Sequence, residues 1–137
     1  MPANYSLAAQ TYVWVQKFAE AHLDFNANLE RIFEEAAFAG IPSLEFSIGQ
    51  FGADEELAKL SYLATQYGVS SPLFYAGGDF HEPERAEVAV EKALSDARRA
   101  KEVGVLVITT NPSPKPGGAN KTSAELKTQA EALNRLG

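Results

Sequence analysis

Three polar side chains lie within or just after predicted apolar strands. Glu45 interrupts the run SLEFSIG (43–49), His81 follows PLFYAGG (72–78), and Asn111 directly follows VLVITT (105–110). A carboxylate inside a buried strand is costly unless it meets a partner or a ligand. An imidazole exchanges protons near neutral pH, and an amide both donates and accepts hydrogen bonds. We therefore predict that Glu45, His81 and Asn111 bind a polyol, with Glu45 as the first candidate.

Two aromatic side chains alternate near the end of the first apolar run, LAAQTYVWV (7–15), which we interpret as a strand. At that position Tyr12 and Trp14 would form an apolar, hydrogen-bonding wall for a sugar. The alternative is that both aromatic rings pack in the core, where such residues are commonly buried.

Each polar candidate also has a structural alternative. Glu45 could serve as the partner of a lysine or arginine, His81 could be an exposed loop residue, and Asn111 could form a turn with the proline that follows it. The loop NPSPKPGGANK (111–121) is not a phosphate-binding loop, because it lacks the glycine spacing of that motif. Lys115 or Lys121 could still meet a phosphate near the next helix, although surface lysines are the alternative.

Four apolar runs are each followed by a helical pattern, so the elements that must position these side chains are βα units. Helices are predicted around 25–39, over 54–67, from Pro83 onwards, and after the capping box Thr122–Glu125. Glycines 40, 68, 104 and 137 close the four helices at separations of 28, 36 and 33 residues. This repeat predicts an α/β fold of four consecutive βα units with parallel strands and outer helices, over a single domain, 1–137.

Two architectures fit four βα units: a small doubly wound open sheet, and half of a (βα)8 barrel of about 250 residues. A doubly wound nucleotide-binding sheet needs a glycine-rich turn after its first strand, and VQKFAEAHLDFNAN contains no glycine. The half-barrel is therefore the predicted architecture.

Composition limits the partners. The net charge of −6 and the isoelectric point near 4.9 argue against nucleic acid, and the chain has no cysteine. No apolar run reaches the roughly 18 residues of a membrane span, and the N-terminus lacks the pattern of a signal peptide. We expect a cytoplasmic protein without a membrane or nucleic-acid partner.

Several segments together resemble the sugar phosphate isomerase/epimerase family, the xylose-isomerase-like TIM barrels. They read QTYVW, LERIFEEAAFAGIPSLEFS, LFYAGGDFHEPE, ARRAKEVGVLVITTNPSPK and KTSAELKTQAEALNRLG. The resemblance covers the N-terminal half of the family barrel and implies that the second half is absent. It also implies that the ligands for a divalent metal (Mn, Co, Mg or Zn) lie in that second half, so that this half binds no cofactor.

The function that the resemblance implies is a metal-dependent aldose–ketose isomerase or epimerase. This chain would contribute a wall of the pocket for a sugar or sugar phosphate and would be inactive alone. The alternative is a non-catalytic half-barrel fragment that self-associates. In either case the open strand edges predict a homo-oligomer, in which two copies close one barrel by pairing strand one with strand four.

Overall fold

Strands and helices alternate along residues 7–137, the part of the chain that the computed structural model describes. Its elements are β1 (Ala9–Gln10), α1 (Tyr12–Glu20), α2 (Leu29–Phe38), β2 (Ser43–Ser47), α3 (Asp54–Tyr67), β3 (Ser70–Gly78), α4 (Pro83–Glu102), β4 (Val107–Pro112) and α5 (Ser123–Asn134). The four strands form one parallel sheet in the order β1-β2-β3-β4. The predicted α/β fold of four βα units is confirmed, whereas the half-barrel stays a prediction.

Helix boundaries follow the signals in the sequence. Gly68 ends α3 in the left-handed conformation (φ 65°), which residues with a β-carbon rarely adopt. At the start of α5 the Thr122 hydroxyl accepts a hydrogen bond from the Glu125 amide at 3.3 Å, and a Glu125 carboxylate oxygen accepts one from the Thr122 amide at 2.6 Å. The predicted capping box is therefore confirmed.

The first predicted strand is wrong over most of its length. Strand β1 has only two residues, and Tyr12 already begins α1. The helix-forming sequence QKFAE continues directly from the aromatic run, and it places Phe18 in the core with 4% exposure. Burial of Phe18 on a helical face therefore outweighs the strand propensity of Tyr12 and Trp14.

Strand β4 begins and ends two residues later than predicted. Asn111 and Pro112 are its last two residues, so Asn111 lies inside the strand and does not follow it. The alternative interpretation of Asn-Pro as a turn is therefore wrong as well.

The chain forms two compact units. Unit 1 comprises Met1–Tyr75 and Ala100–Ile108, and unit 2 comprises Ala76–Arg99 and Thr109–Gly137. The predicted assignment of one domain to the whole chain stays a prediction.

Each unit has its own core. In unit 1 the core is a cluster of six phenylalanine rings whose neighbouring centroids lie 5.7–6.3 Å apart: Phe18, Phe25, Phe33, Phe46, Phe51 and Phe74. In unit 2 a smaller core joins Phe80 to the inner faces of α4 and α5, with Val90 fully buried and Ala132 nearly so. These are contacts between apolar side chains, which stabilise the fold by removing their surface from water.

None of the helices described in residues 7–137 combines the length and apolar character needed to cross a membrane.

Candidate functional site

The carboxyl ends of β3 and β4 lie side by side in unit 2. The backbone N–H of Ser113, just after β4, donates a hydrogen bond to the carbonyl oxygen of Gly78, the last residue of β3, at 2.9 Å. His81 follows Gly78 by three residues, and Asn111 precedes Ser113 by two. The structure therefore brings together the chain segments that carry two of the predicted site residues.

His81 is buried, with 1% of its surface exposed. Its Nε2 atom lies 3.8 Å from a carboxylate oxygen of Glu82. Its Nδ1 atom is buried without a hydrogen-bond partner among residues 7–137. Leaving a buried polar atom unsatisfied costs about 1–3 kcal/mol, so this nitrogen marks a place where a bonding partner is missing. The alternative that His81 is an exposed loop residue is wrong.

A charged network, which we did not predict from the sequence, surrounds this histidine. Arg85 Nη1 donates to a carboxylate oxygen of Asp79 at 2.9 Å, and Arg85 Nε lies 3.3 Å from the Glu82 carboxylate. Two hydrogen bonds hold the pKa of Asp79 below its usual value. The bond from the Ser113 side chain has the larger effect, and the bond from Arg85 has the next largest. Asp79 is therefore a fixed anion that joins the end of β3, the start of α4 and the residue after β4.

The sequence carries a partial signal for these residues. Asp79, Glu82 and Arg85 all fall in GGDFHEPER, the segment that contains His81. Charged residues directly after a parallel strand are candidates for a site, because parallel α/β sheets bind ligands at the carboxyl ends of their strands. Ser113 gives no such signal, because its contact with Asp79 joins positions 34 residues apart.

No family model matches the chain, and no curated protein matches it. The likeness to sugar phosphate isomerases and epimerases therefore rests on the sequence segments quoted above, and it stays a prediction.

Glu45 lies in unit 1, whereas His81 and Asn111 lie in unit 2. Glu45 is 8% exposed and lies in the middle of β2. The register of the sheet places it between Gln10 of β1 and Leu73 of β3. Its backbone carbonyl accepts hydrogen bonds from both the N–H and the hydroxyl of Thr11, each at 3.0 Å. The prediction of a buried carboxylate on a central strand is met, and its binding role stays a prediction.

Tyr12 and Trp14 do not lie at the end of a strand, so the geometric basis for a sugar-binding wall is wrong. Both belong to α1, where Tyr12 is 64% exposed. The indole Nε1 of Trp14 donates to a Glu35 carboxylate oxygen at 2.7 Å, and Arg31 Nε donates to the other oxygen at 2.7 Å. Arg31, and then Trp14, lower the pKa of Glu35 through these bonds. The Trp14 side chain therefore links α1 to α2.

The residues present do not fit the divalent metal that the resemblance implies. Within residues 7–137, no three histidine, aspartate or glutamate side chains converge closely enough to hold a metal ion. None of the roles proposed for the residues of this chain involves a metal ion. The position of the family's metal ligands stays a prediction.

The two lysines considered for a phosphate contact are engaged with α5. Lys115 Nζ donates to a Glu125 carboxylate oxygen at 2.7 Å, and Lys121 Nζ donates to the Gln129 amide oxygen at 2.7 Å. The loop between β4 and α5 is thus held at two points by side chains of the helix that follows it.

The Lys115–Glu125 pair predicts a dependence of stability on pH. Lys115, and then Thr122, lower the pKa of Glu125 from 4.5 to about 2. A depressed carboxyl pKa contributes stability above 4.5, and that contribution is lost as pH falls towards 2. We expect Lys115→Met to lower the thermal midpoint at pH 7 and to approach the parent protein's midpoint as pH falls below 4.5, measured by calorimetry.

A matched control is Lys127→Met. Lys127 Nζ lies 3.9 Å from Glu131, and both side chains are more than half exposed, so this pair should contribute little at any pH. A difference between Lys115→Met and the parent protein that stays constant through the acid range would contradict the assignment.

Proposed function

We propose that this chain supplies a substrate-binding wall of a sugar or sugar-phosphate isomerase or epimerase of the xylose-isomerase-like type. The carboxyl ends of β3 and β4, which lie in unit 2, would form this wall. Parallel strands in sequential order support the proposal, because ligands of (βα)8 barrels bind at the carboxyl ends of such strands. The sequence resemblance supports it independently.

The observation that carries the proposal is the buried, unpartnered Nδ1 of His81. A hydroxyl of a bound sugar would supply the missing hydrogen bond, and the fixed network of Asp79 and Arg85 would hold the adjoining loop in place. Asn111, exposed near the end of β4, offers an amide that both donates and accepts toward a neighbouring hydroxyl.

In this role the residues of the chain bind and orient the substrate. Aldose–ketose isomerisation and epimerisation move a proton at a carbon beside the carbonyl group, and the rate depends on how the sugar is held against the acid and base. His81 would fix one hydroxyl by a single hydrogen bond. The predicted substrate-binding role of Glu45, which lies on β2 in unit 1, stays a separate prediction.

Replacing His81 tests the proposal. Each protein would be titrated with D-xylose, D-xylulose, D-glucose and D-fructose, and the ring signals of its histidines would be followed by nitrogen-15 NMR. We expect a sugar of this panel to shift the His81 signals. His81→Gln should weaken the binding of that sugar about tenfold, which corresponds to the loss of one hydrogen bond of about 1.4 kcal/mol.

His22 provides the matched control, because it is the only other histidine in the sequence and its side chain is exposed. His22→Gln should leave sugar binding unchanged, and the His22 ring should not respond to the sugar. If no sugar of the panel moves the His81 signals, or if His81→Gln binds as tightly as the parent, the proposal is wrong.

A second candidate function is a non-catalytic module that associates with a second copy of itself. Strand β4 lies at the edge of the sheet. Leu106, which directly precedes it, is 82% exposed, and Val107, its first residue, is 49% exposed. The segment 105–114 contains no charged residue, although proteins commonly protect exposed strand edges with charges. Each chain has a net charge of −6, so two copies repel each other in general. Pairing along this neutral edge brings no like charges together within the segment 105–114.

A lysine on this edge should oppose self-association. We expect the parent protein to be dimeric by size-exclusion chromatography with light scattering, and Val107→Lys to shift it to the monomer. Val88→Lys is the matched control, because Val88 is 66% exposed but lies on helix α4. A monomeric parent protein would rule out this candidate. Closure through β1 would use only Ala9 and Gln10 of the described residues, so β4 would provide most of the contact.

A further inference from the structure

We propose that the ligand group that meets His81 is an uncharged hydroxyl and that the site discriminates against a phosphate at this position. The part of the sugar that binds at His81 is then unphosphorylated. This inference rests on the proposed function and specifies the class of substrate that it takes.

The expected position of the hydrogen on the His81 ring favours a ligand group that donates a hydrogen bond. A neutral imidazole carries its hydrogen on one nitrogen and accepts with the other. The Glu82 carboxylate, 3.8 Å from Nε2, has only acceptor oxygens when ionised and therefore favours the hydrogen on that nitrogen. Nδ1, the unpartnered atom, is then an acceptor. A sugar hydroxyl can donate to it, whereas a fully ionised phosphate has no hydrogen to donate.

The charges around the His81 ring oppose a phosphate at this position. Asp79 and Glu82 place two carboxylates beside His81, and the guanidinium of Arg85 is already held by both of them. In the loop after β4, Lys115 is paired with Glu125. A phosphate at this position would therefore face like charges, and Arg85 would have to break its ion pairs with Asp79 and Glu82 to bind it.

Helix α4 begins at Pro83, two residues after His81. The N-terminus of a helix ordinarily attracts anions. Here Glu84 lies in the first turn, and Glu82 directly precedes the helix. These two carboxylates occupy the region where the dipole favours a negative charge, which reduces the attraction that is left for a phosphate.

The ring protonation can be tested on the free protein. Long-range nitrogen-15 NMR of the imidazole distinguishes a protonated nitrogen from an acceptor nitrogen. We expect His81 to carry its hydrogen on Nε2 and to show Nδ1 as the acceptor, while the exposed His22 ring provides an internal reference. A spectrum with a hydrogen on Nδ1, whether on that nitrogen alone or on both nitrogens, would overturn the inference without any ligand experiment.

The ligand test compares each sugar with its own phosphate ester. The parent protein would be titrated with D-fructose and D-fructose 6-phosphate, and with D-glucose and D-glucose 6-phosphate, while the His81 ring signals are monitored. We expect the ester to bind about tenfold more weakly, the effect of about 1.4 kcal/mol of repulsion. If the ester binds His81 equally well or more tightly, the inference is wrong while the proposed sugar site stands. If neither sugars nor esters shift His81, the proposed function fails and the inference fails with it.

Two glutamate variants separate a local effect from a change in net charge. Glu82→Gln removes the carboxylate beside Nε2 and should reduce the discrimination against the ester several-fold, with a weaker preference for the hydrogen on Nε2. Glu91→Gln removes the same charge from an exposed position beyond the first turn of α4, and it should retain both the ring protonation and the discrimination. Equal effects of the two variants on ring protonation and on ester binding would overturn the positioning role of Glu82.

Discussion

Phe46→Ala is expected to lower the free energy of unfolding of unit 1 by about 3–5 kcal/mol. Phe46 is fully buried on β2. Its ring centroid lies 5.7 Å from those of Phe33 and Phe51, and 6.3 Å from those of Phe25 and Phe74. Truncation would remove the ring that contacts four of the other five rings of the cluster and leave a cavity that the surrounding rings cannot fill. Urea unfolding followed by circular dichroism measures the loss.

The matched control is Phe38→Ala, the same substitution at a side chain that is 95% exposed at the end of α2. It should change the free energy of unfolding by about 0.5 kcal/mol or less. If Phe46→Ala were as mild as Phe38→Ala, the aromatic cluster would not be the core of unit 1.

Gly78→Ala is expected to destabilise unit 2 by about 1–3 kcal/mol through overpacking. A β-carbon at position 78 would lie 2.8 Å from Cζ of Phe80 and 3.2 Å from the β-carbon of Ala89. The ring of Phe80 is fully buried in the core of unit 2 and cannot turn into solvent. Because Phe80 directly precedes His81, we also expect the His81 ring signals to move. Calorimetry and the histidine NMR spectrum measure the two effects.

Gly52→Ala is the control for the general effect of replacing glycine. A β-carbon there would meet only a Glu56 carboxylate oxygen, at 3.8 Å. Substitution of glycine in an unstrained position usually stabilises a protein by about 0.4–1 kcal/mol. The two variants should therefore differ in sign. Adding Phe80→Leu to Gly78→Ala should recover part of the loss, and a neutral Gly78→Ala variant would contradict the tight contact.

The parts of the fold predicted correctly are those in which one local signal is sufficient. The apolar spacing of Leu57, Leu60 and Leu63 and the closing Gly68 predict a helix over 54–67, and α3 is Asp54–Tyr67. The capping box predicts the start of α5 for the same reason, because both of its hydrogen bonds join residues three positions apart. Periodicity and capping operate within a few residues and are visible in the sequence.

The first strand could not be predicted, because two signals overlap in the same residues. The aromatic and β-branched run around Tyr12 and Trp14 favours a strand, whereas the following segment QKFAE favours a helix. The outcome depends on tertiary contacts, namely the burial of Phe18 and the bond from Trp14 to Glu35.

The site was only partly predictable for a related reason. The position of His81 after a parallel strand follows from the order of elements along the chain. The bonding of Asp79 beside it depends on Ser113, which directly follows the next strand. Such a contact between distant positions has no counterpart in the spacing of the sequence.

The hydrogen bond between Trp14 and Glu35 has a consequence for spectroscopy. Trp14 is the only tryptophan in the sequence, and both residues of this bond belong to unit 1. Its intrinsic fluorescence therefore reports the environment of unit 1, and unit 2 contains no such fluorophore. The ring signal of His81, which lies in unit 2, is needed beside the tryptophan signal to find out whether the two units unfold in one transition or in two.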